Sequence, residues 1–183
     1  MGHRLSKIYT RTGDAGETGL ADGRRLSKHH PRLQVLGDLD ELSSALGLVR
    51  CELPAAHTSA VALRQVQQEL LDLGGEIACS GIALLDAAAI VRLEQQMDAM
   101  NASLGPLKEF ILAGGTRAAA SAHLARAIAR RLERQLVALG QEEALPELAL
   151  AYVNRLSDWL FVTARQLARE EESEEILWRH ERP

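Results

Sequence analysis

The sequence predicts an all-α protein: a five-helix bundle that carries an irregular, glycine-rich N-terminal arm. Hydrophobic residues make up 46% of the 183 residues but aromatic residues only 3%, so the apolar side chains are mostly Ala, Leu, Val and Ile, as in packed helices rather than β-sandwiches. Five segments place apolar residues three and four positions apart, the period of a helix. The length suits a single domain, 1–183, with an arm (1–37), a bundle (38–170) and a charged tail (171–183) that we expect to fray.

Composition excludes several classes of protein. The 21 basic and 25 acidic residues give a net charge of -4, which argues against nucleic acid binding. No apolar run approaches the ~20 residues that cross a bilayer, so we expect no membrane segment. The N-terminus has no apolar signal core, and Cys51 and Cys79 form no CxxC motif. We therefore expect a cytoplasmic protein whose two thiols are small core residues.

The arm is marked by the stretch TRTGDAGETGLADG, residues 10–23, which has no apolar period. Its glycines allow successive backbone N–H groups to converge on an anion, with the hydroxyls of Thr10, Thr12 and Thr18 nearby. The stretch has no GK[ST] and no preceding strand, so it is not a Walker A loop. From these residues alone, a mobile surface loop is the favoured interpretation and an anion site is the alternative.

The first three helices are each marked by an apolar ladder that stops at a helix-breaking residue. Helix one is predicted from Leu39 to Pro54, helix two closes near Gly81, and helix three stops at Gly105-Pro106. The ladders comprise Leu39, Leu42, Leu46 and Val49; Val66, Leu70, Leu73 and Ile77; and Ile90, Leu93, Met97, Met100 and Leu104.

The fourth and fifth helices follow the same logic. Thr116 is the predicted N-cap of helix four, which ends at Gly140, and helix five begins around Pro146 and ends before the acidic run that starts at Glu170. Their ladders comprise Leu124, Ile128, Leu132 and Leu136, then Leu148, Tyr152, Leu156, Leu160 and Leu167. Segments of this length joined by short breaks favour an antiparallel bundle.

An arginine stripe lies on helix four. Arg126, Arg130 and Arg134 recur every four residues, so they share one side of the helix with Glu133, away from the Leu124 ladder. Guanidinium groups bind phosphate and carboxylate through paired hydrogen bonds. A solvated face tied together by Glu133 is an equally good interpretation from spacing alone.

Other side chains have structural interpretations from the residues alone. The carboxylates at the predicted start of helix one suit capping: Asp38, Asp40 and Glu41. Phe110 is interpreted as a core residue, and Trp159 and Phe161 as core or interface aromatics. Ser121 and His123 lie on different sides of a helix and so do not form a nucleophile and base.

Five ordered blocks change these interpretations: KIYTRTGDAGETGL, HPRLQVLGDLDELSSALG, FILAGGT, HLARAIARRLER and YVNRLSDWLFVTAR. Together, over residues 7–169, they resemble the PduO-type ATP:cob(I)alamin adenosyltransferases. The resemblance implies transfer of the 5′-deoxyadenosyl group of ATP to the Co(I) of reduced cobalamin, which forms adenosylcobalamin and releases triphosphate. It also implies Mg²⁺ and a homotrimer of five-helix subunits with active sites between subunits.

The resemblance assigns roles to residues. Those implied to bind ATP are Thr10, Arg11, Thr12, Gly13, Asp14, Thr18, Lys28, Arg130, Arg131, Glu133, Arg134 and Asn154. Asp40 and Arg126 match a pair that bridges subunits and supports cobalamin binding and catalysis. Phe110 matches the aromatic that presses on the lower face of the corrin and displaces the axial ligand. The implied catalytic residues are Arg130, Asp40, Arg126 and Phe110, and no side chain is assigned to a metal.

The sequence also departs from the family pattern. Ala15 stands where Lys is common, which we expect to affect ATP affinity, and Ala113 stands where Pro is usual, which we expect to loosen the loop that carries Phe110. Ser43 stands where Asn is common. Two alternatives to the enzyme remain at this stage: a cobalamin carrier that binds ATP and delivers adenosylcobalamin, and a structural bundle without activity. The enzyme would work with a cobalamin reductase and a client mutase.

Overall fold

The computed structural model describes residues 9–180, so residues 1–8 of the predicted arm and 181–183 of the predicted tail lie outside the described residues. Five helices are present in this part of the chain, as predicted. The elements run in the order β1 (Glu17–Gly19), β2 (Arg25–Ser27), α1 (Pro31–Cys51), α2 (Thr58–Ala78), α3 (Ala88–Asn101), α4 (Arg117–Leu139) and α5 (Ala149–Glu170). No helix within residues 9–180 is long and apolar enough to cross a membrane.

The sequence predicted an irregular arm, but the arm contains a short antiparallel hairpin. Strands β1 and β2 pair with Thr18 opposite Leu26. The turn between them is closed by two hydrogen bonds, from the Leu20 amide to the Arg24 carbonyl at 2.8 Å and from the Gly23 amide to the Leu20 carbonyl at 3.1 Å. Gly23 has φ +86°, a conformation that glycine adopts without strain. Three-residue strands are too short to show an alternating apolar pattern, so the sequence did not reveal them.

Helix α1 begins at Pro31, eight residues before the predicted start. Proline suits the first turn of a helix, and His30 caps it by accepting a hydrogen bond from the Arg32 amide through Nδ1 at 3.2 Å. The apolar ladder also begins earlier, at the buried Val35. Asp38, Asp40 and Glu41 therefore lie inside the helix, so their interpretation as capping groups is wrong.

Helix α4 is the centre of the bundle, since it packs against both α1 and α5, while α2 packs on α1 and α3 on α5. Its first half presents buried alanines, which allow its neighbours to approach closely: Ala118, Ala119, Ala122, Ala125 and Ala129. The predicted ladder holds at Ile128, Leu132 and Leu136, but Leu124 is 54% exposed. A strict spacing of four drifts by about 40° per step around a helix, which carries Leu124 off the core face.

Helix α5 supplies the largest buried side chains. Trp159 and Tyr152 are almost inaccessible, which confirms the core interpretation of Trp159. The Tyr152 hydroxyl donates to Glu69 Oε2 at 2.9 Å, and Arg92 Nη2 pairs with the same oxygen at 2.6 Å. Burial, together with Glu69, raises the pKa of Tyr152 well above its ordinary value.

The prediction that both cysteines are small core residues fails at Cys51, which is exposed.

The described part of the tail, residues 171–180, turns back on the bundle, whereas we expected the tail to fray. The Ser173 amide donates to the Ala168 carbonyl at 2.9 Å, which reverses the chain at the end of α5. Leu177 of the tail then pairs in an antiparallel bridge with Ile111, which lies in the loop before α4. The charge of the tail suggested solvation, but one of its carboxylates, Glu175, pairs with the buried Arg165.

Candidate functional site

An open cleft of about 590 Å³ lies beside the loop of residues 105–116, which we call the Phe110 loop. It brings together three residues that the sequence assigned to catalysis, Phe110, Arg126 and Arg130. The remaining lining residues are Leu107, Lys108, Glu109, Ile111 and Phe161. The cleft thus combines an aromatic floor with guanidinium groups, a pairing that suits a large, flat ligand bearing negative groups.

Phe110 is 81% exposed, so the interpretation of this side chain as a core residue is wrong. The backbone rather than the side chain is held, because the Trp178 amide donates to the Phe110 carbonyl at 2.6 Å and the Leu112 amide to the Ile176 carbonyl at 2.8 Å. A large exposed aromatic on a fixed backbone is a contact surface for a ligand or partner.

Arg126 stands over the ring of Phe161, with 5.9 Å between the guanidinium carbon and the ring centroid. Its Nε is buried without a hydrogen-bond partner. Burial, and then the nearby Arg130, lower the pKa of Arg126. A half-buried guanidinium with a lowered pKa and a partnerless Nε lacks a negative partner, and within residues 9–180 no ion pair joins Arg126 to Asp40, which is exposed.

Phe161 is a site residue that sequence reasoning missed, since it was interpreted as a core or interface aromatic. It lines the cleft, and its ring also meets the ring of His123 edge-on, with 6.0 Å between the ring centroids. Burial, and then Arg126, lower the pKa of His123, while Glu175 acts in the opposite direction. Phe161 and Arg126 are 35 positions apart on different helices, so no local pattern could have revealed their contact.

The hairpin brings several predicted nucleotide-binding residues of the arm together. Lys28 lies across Gly13: its Nζ is 3.3 Å from the point where a Cβ on Gly13 would stand. The hydroxyls of Thr10 and Thr12 are 2.8 Å apart. Arg11 has φ 60° and its guanidinium carbon lies 5.7 Å from the centroid of the Tyr9 ring. Asp14 is exposed in the same turn, and Thr18 is half-buried on β1. None of these residues lines the Phe110 cleft.

The arginine stripe and Asn154 form a second group on α4 and α5. Asn154 Nδ2 donates to Glu133 Oε1 at 2.9 Å, which joins two predicted nucleotide contacts from different helices. Arg134 Nη1 donates to the Arg130 carbonyl at 3.0 Å. The Arg130 side chain itself is exposed. Within the arginine stripe, the Arg134 side chain is therefore held by a hydrogen bond, whereas the Arg130 side chain is available to a ligand.

Arg131 points in a different direction from Arg130. Its Nε lies 3.3 Å from Asp38 Oδ1, and its Nη2 pairs with Glu41, so it ties α4 to α1. Asp38 is buried, and its second carboxylate oxygen has no hydrogen-bond partner. In this chain Arg131 is engaged in packing two helices, whereas Arg130 faces the cleft.

Comparisons with known proteins identify the family of the chain. The family model "Cobalamin adenosyltransferase" matches residues 8–167. A cobalamin adenosyltransferase of Cupriavidus metallidurans is 50% identical over 100% of this chain and 99% of its own length. A corrinoid adenosyltransferase of Bacillus subtilis is 42% identical over 87% of this chain and 85% of its own length.

A solved structure shares the fold. It is a phenylalanine-to-alanine variant of a PduO-type ATP:corrinoid adenosyltransferase from Lactobacillus reuteri, complexed with cobalamin and ATP. Its TM-score is 0.89 at 34% identity, covering 95% of this chain and 100% of that chain. On the match over residues 8–167 and these relatives, the chain belongs to the cobalamin adenosyltransferase family.

Proposed function

We propose that this protein transfers the 5′-deoxyadenosyl group of ATP to the Co(I) of reduced cobalamin. The electron pair of Co(I) attacks C5′ of ATP and forms the Co–C bond, and the C5′–O bond breaks so that triphosphate leaves with its electron pair. The observation that carries the proposal is the exposed Phe110 in one cleft with Arg126 and Arg130. The nucleophile belongs to the substrate, so the protein supplies position and charge.

The cleft suits the corrin. Phe110 presents its ring to the solvent, where it would press on the lower face of the corrin and displace the axial ligand of Co(II). A four-coordinate Co(II) has a lowered acceptor orbital and is easier to reduce. Phe161 adds apolar wall, and Arg126 lies above it to meet acidic or amide groups at the edge of the ligand.

ATP would be held by the arm and the stripe. Lys28 and Arg11, the hydroxyls of Thr10, Thr12 and Thr18, and the backbone around Gly13 and Asp14 would take the phosphates. Arg130, Arg134, Glu133 and Asn154 would complete the nucleotide site. Arg131 can join them only by sharing its ion pairs with Asp38 and Glu41. Cationic groups placed where the triphosphate gains charge would stabilise the transition state.

Mg²⁺ fits this site as an ion carried by the triphosphate. Within residues 9–180 no group of three or more acidic, histidine or cysteine side chains is arranged to hold a metal. Mg²⁺ ordinarily keeps water ligands and binds nucleotide phosphates, so phosphate oxygens and water supply most of its shell. When bound, it would neutralise charge on the leaving group.

We further propose that the active chain is a homotrimer. Asp40 on α1 and Arg126 on α4 carry opposite charges but do not form an ion pair with each other within the described chain, although α1 and α4 pack side by side. Leu48 and Leu124, on the same two helices, are 58% and 54% exposed. Pairing Asp40 with Arg126 of a neighbouring subunit would satisfy both charges, and the exposed leucines would add apolar contact surface elsewhere on the same helices. The resemblance to the family implies active sites between subunits, in which the arm of one subunit would complete the site of another.

A double-mutant cycle tests the subunit pair. Asp40→Asn and Arg126→Gln each should weaken the trimer, measured by sedimentation, and the double variant should be no weaker than the worse single variant. Additive losses would show that the two residues do not pair. The reaction also needs a source of Co(I) and a user of the product, so we propose a cobalamin reductase and a client mutase as partners in the cytoplasm.

The experiment for the function compares two arginine variants on α4. Arg130→Ala should abolish ATP binding and adenosylation, because it removes an exposed cation of the proposed nucleotide site. Arg117→Ala is the matched control, since Arg117 is an exposed residue of the same helix that pairs with Glu52. Calorimetry measures ATP affinity, and absorbance measures adenosylcobalamin. Unchanged ATP affinity in Arg130→Ala would contradict the site, and ATP binding without product in the wild type would indicate a carrier.

A further inference from the structure

The exposed Phe110 side chain requires a support that its own packing does not provide. With 81% of Phe110 exposed, its position depends on the backbone of the Phe110 loop. That loop has Ala113 where a proline would stiffen it. Two hydrogen bonds join the middle of the loop to the tail: the Leu112 amide donates to the Ile176 carbonyl, and the Trp178 amide donates to the Phe110 carbonyl.

The tail that supports the loop is joined to α5 by an ion pair as well as by the chain reversal at Ser173. Glu175 receives two hydrogen bonds from Arg165, from Nε at 2.6 Å and from Nη2 at 3.1 Å. Two short strands alone are marginally stable in water. The segment from Ile176 to Trp178, immediately after Glu175, therefore depends on this anchor to remain beside the loop.

Arg165 also holds the first residue of the Phe110 loop through a hydrogen bond. Its Nη2 donates to the Gly105 carbonyl at 2.9 Å, and its side chain is only 7% exposed. A single buried guanidinium thus fixes the beginning of the Phe110 loop and the tail that pairs with its middle. Paired, charge-assisted hydrogen bonds give such a contact a defined geometry as well as strength.

We propose that Arg165 and Glu175 form a clamp whose function is to position Phe110 for the corrin. Both are positioning residues, since neither lines the Phe110 cleft. This inference rests on the proposed function, in which Phe110 displaces the axial ligand of Co(II). The clamp therefore governs the reaction that starts from cob(II)alamin and a reductant more than the reaction of cob(I)alamin that has already been reduced.

The test uses Glu175→Ala, with Glu175→Gln as the conservative variant and Glu174→Ala as the matched control. Glu174 is the exposed neighbour. In Glu175→Ala, hydrogen exchange at the Leu112 and Trp178 amides should accelerate. The rate from cob(II)alamin should fall on the order of tenfold to a hundredfold, the effect expected from a misplaced catalytic group. ATP affinity and the rate from cob(I)alamin should change little, and Glu175→Gln should lie between Glu175→Ala and the wild type.

Each outcome decides the proposal. Unchanged amide exchange in Glu175→Ala would overturn the clamp. Equal losses from cob(II)alamin and cob(I)alamin, together with a lower melting temperature, would show a structural role and also overturn it. If the wild type makes no adenosylcobalamin at all, the proposed function fails, while amide exchange still reports whether Arg165 and Glu175 hold the loop.

Discussion

Replacing Phe110 with alanine should separate folding from function. Since 81% of the residue is already exposed, little apolar area is lost from the fold. An aromatic side chain that buries ~200 Å² when covered contributes about 5 kcal/mol at ~25 cal/mol per Å². About one fifth of that, ~1 kcal/mol, belongs to folding. The remaining ~4 kcal/mol is available only when the corrin covers the ring.

Two assays measure the contribution of Phe110 to folding and its contribution to contact with the corrin. Urea unfolding should show that Phe110→Ala costs about 1 kcal/mol or less. Adenosylation from cob(II)alamin and a reductant should fall by on the order of 10²- to 10³-fold, as ~3 to 4 kcal/mol predicts. The rate of adenosylation from chemically reduced cob(I)alamin at saturation should fall far less, because the contact energy is then not used to displace an axial ligand and its loss appears mainly as a higher KM. A large loss of stability, or equal losses from both cobalt states, would refute the assignment of Phe110 to the ligand.

Three further predictions concern charge and space in the described residues. Because the pKa of His123 is lowered, the unfolded chain binds more protons below pH 6.5, so stability should fall as the pH drops below that value, and His123→Gln should remove this dependence in denaturant unfolding. The hydrogen bond from Arg32 lowers the pKa of Glu143, so its stabilisation is present above pH 4.5 and is lost as the pH falls through the lowered value; Glu143→Gln should cost about 1.5 to 3 kcal/mol at pH 7 and little in acid. Gly13→Ala should displace Lys28 and weaken ATP binding about tenfold or more by calorimetry, as loss of a charge-assisted hydrogen bond predicts, whereas Gly19→Ala, with open space around it, should not.

The helical core could be predicted because its signal is periodic and local. Leu132 and Leu136 recur at the spacing of one helix face and are fully buried. Helix boundaries were harder, because Pro31 marks a helix start only when the capping His30 beside it is recognised. The hairpin of the arm was missed because each strand has three residues, too few to show a period.

The residues of the candidate site also fall into those that local spacing reveals and those that only tertiary contacts reveal. Arg126 and Arg130 could be found as a stripe, because four-residue spacing places them on one side of α4. The importance of Phe161 could not be found, since it comes from a contact between two helices. The tail was misjudged because its acidic residues suggested solvation, whereas Glu175 has a buried partner in Arg165, ten positions away around a chain reversal. Such pairings depend on the three-dimensional path of the chain.

The central claim is that this chain forms the Co–C5′ bond at the Phe110 cleft. The most direct measurement mixes the wild-type protein with cob(I)alamin, ATP and Mg²⁺ under anaerobic conditions and quantifies adenosylcobalamin and triphosphate together. The account predicts that the two products appear in equal amounts, and that neither appears with Arg130→Ala. Release of phosphate or diphosphate without adenosylcobalamin, or full product formation by Arg130→Ala, would contradict it.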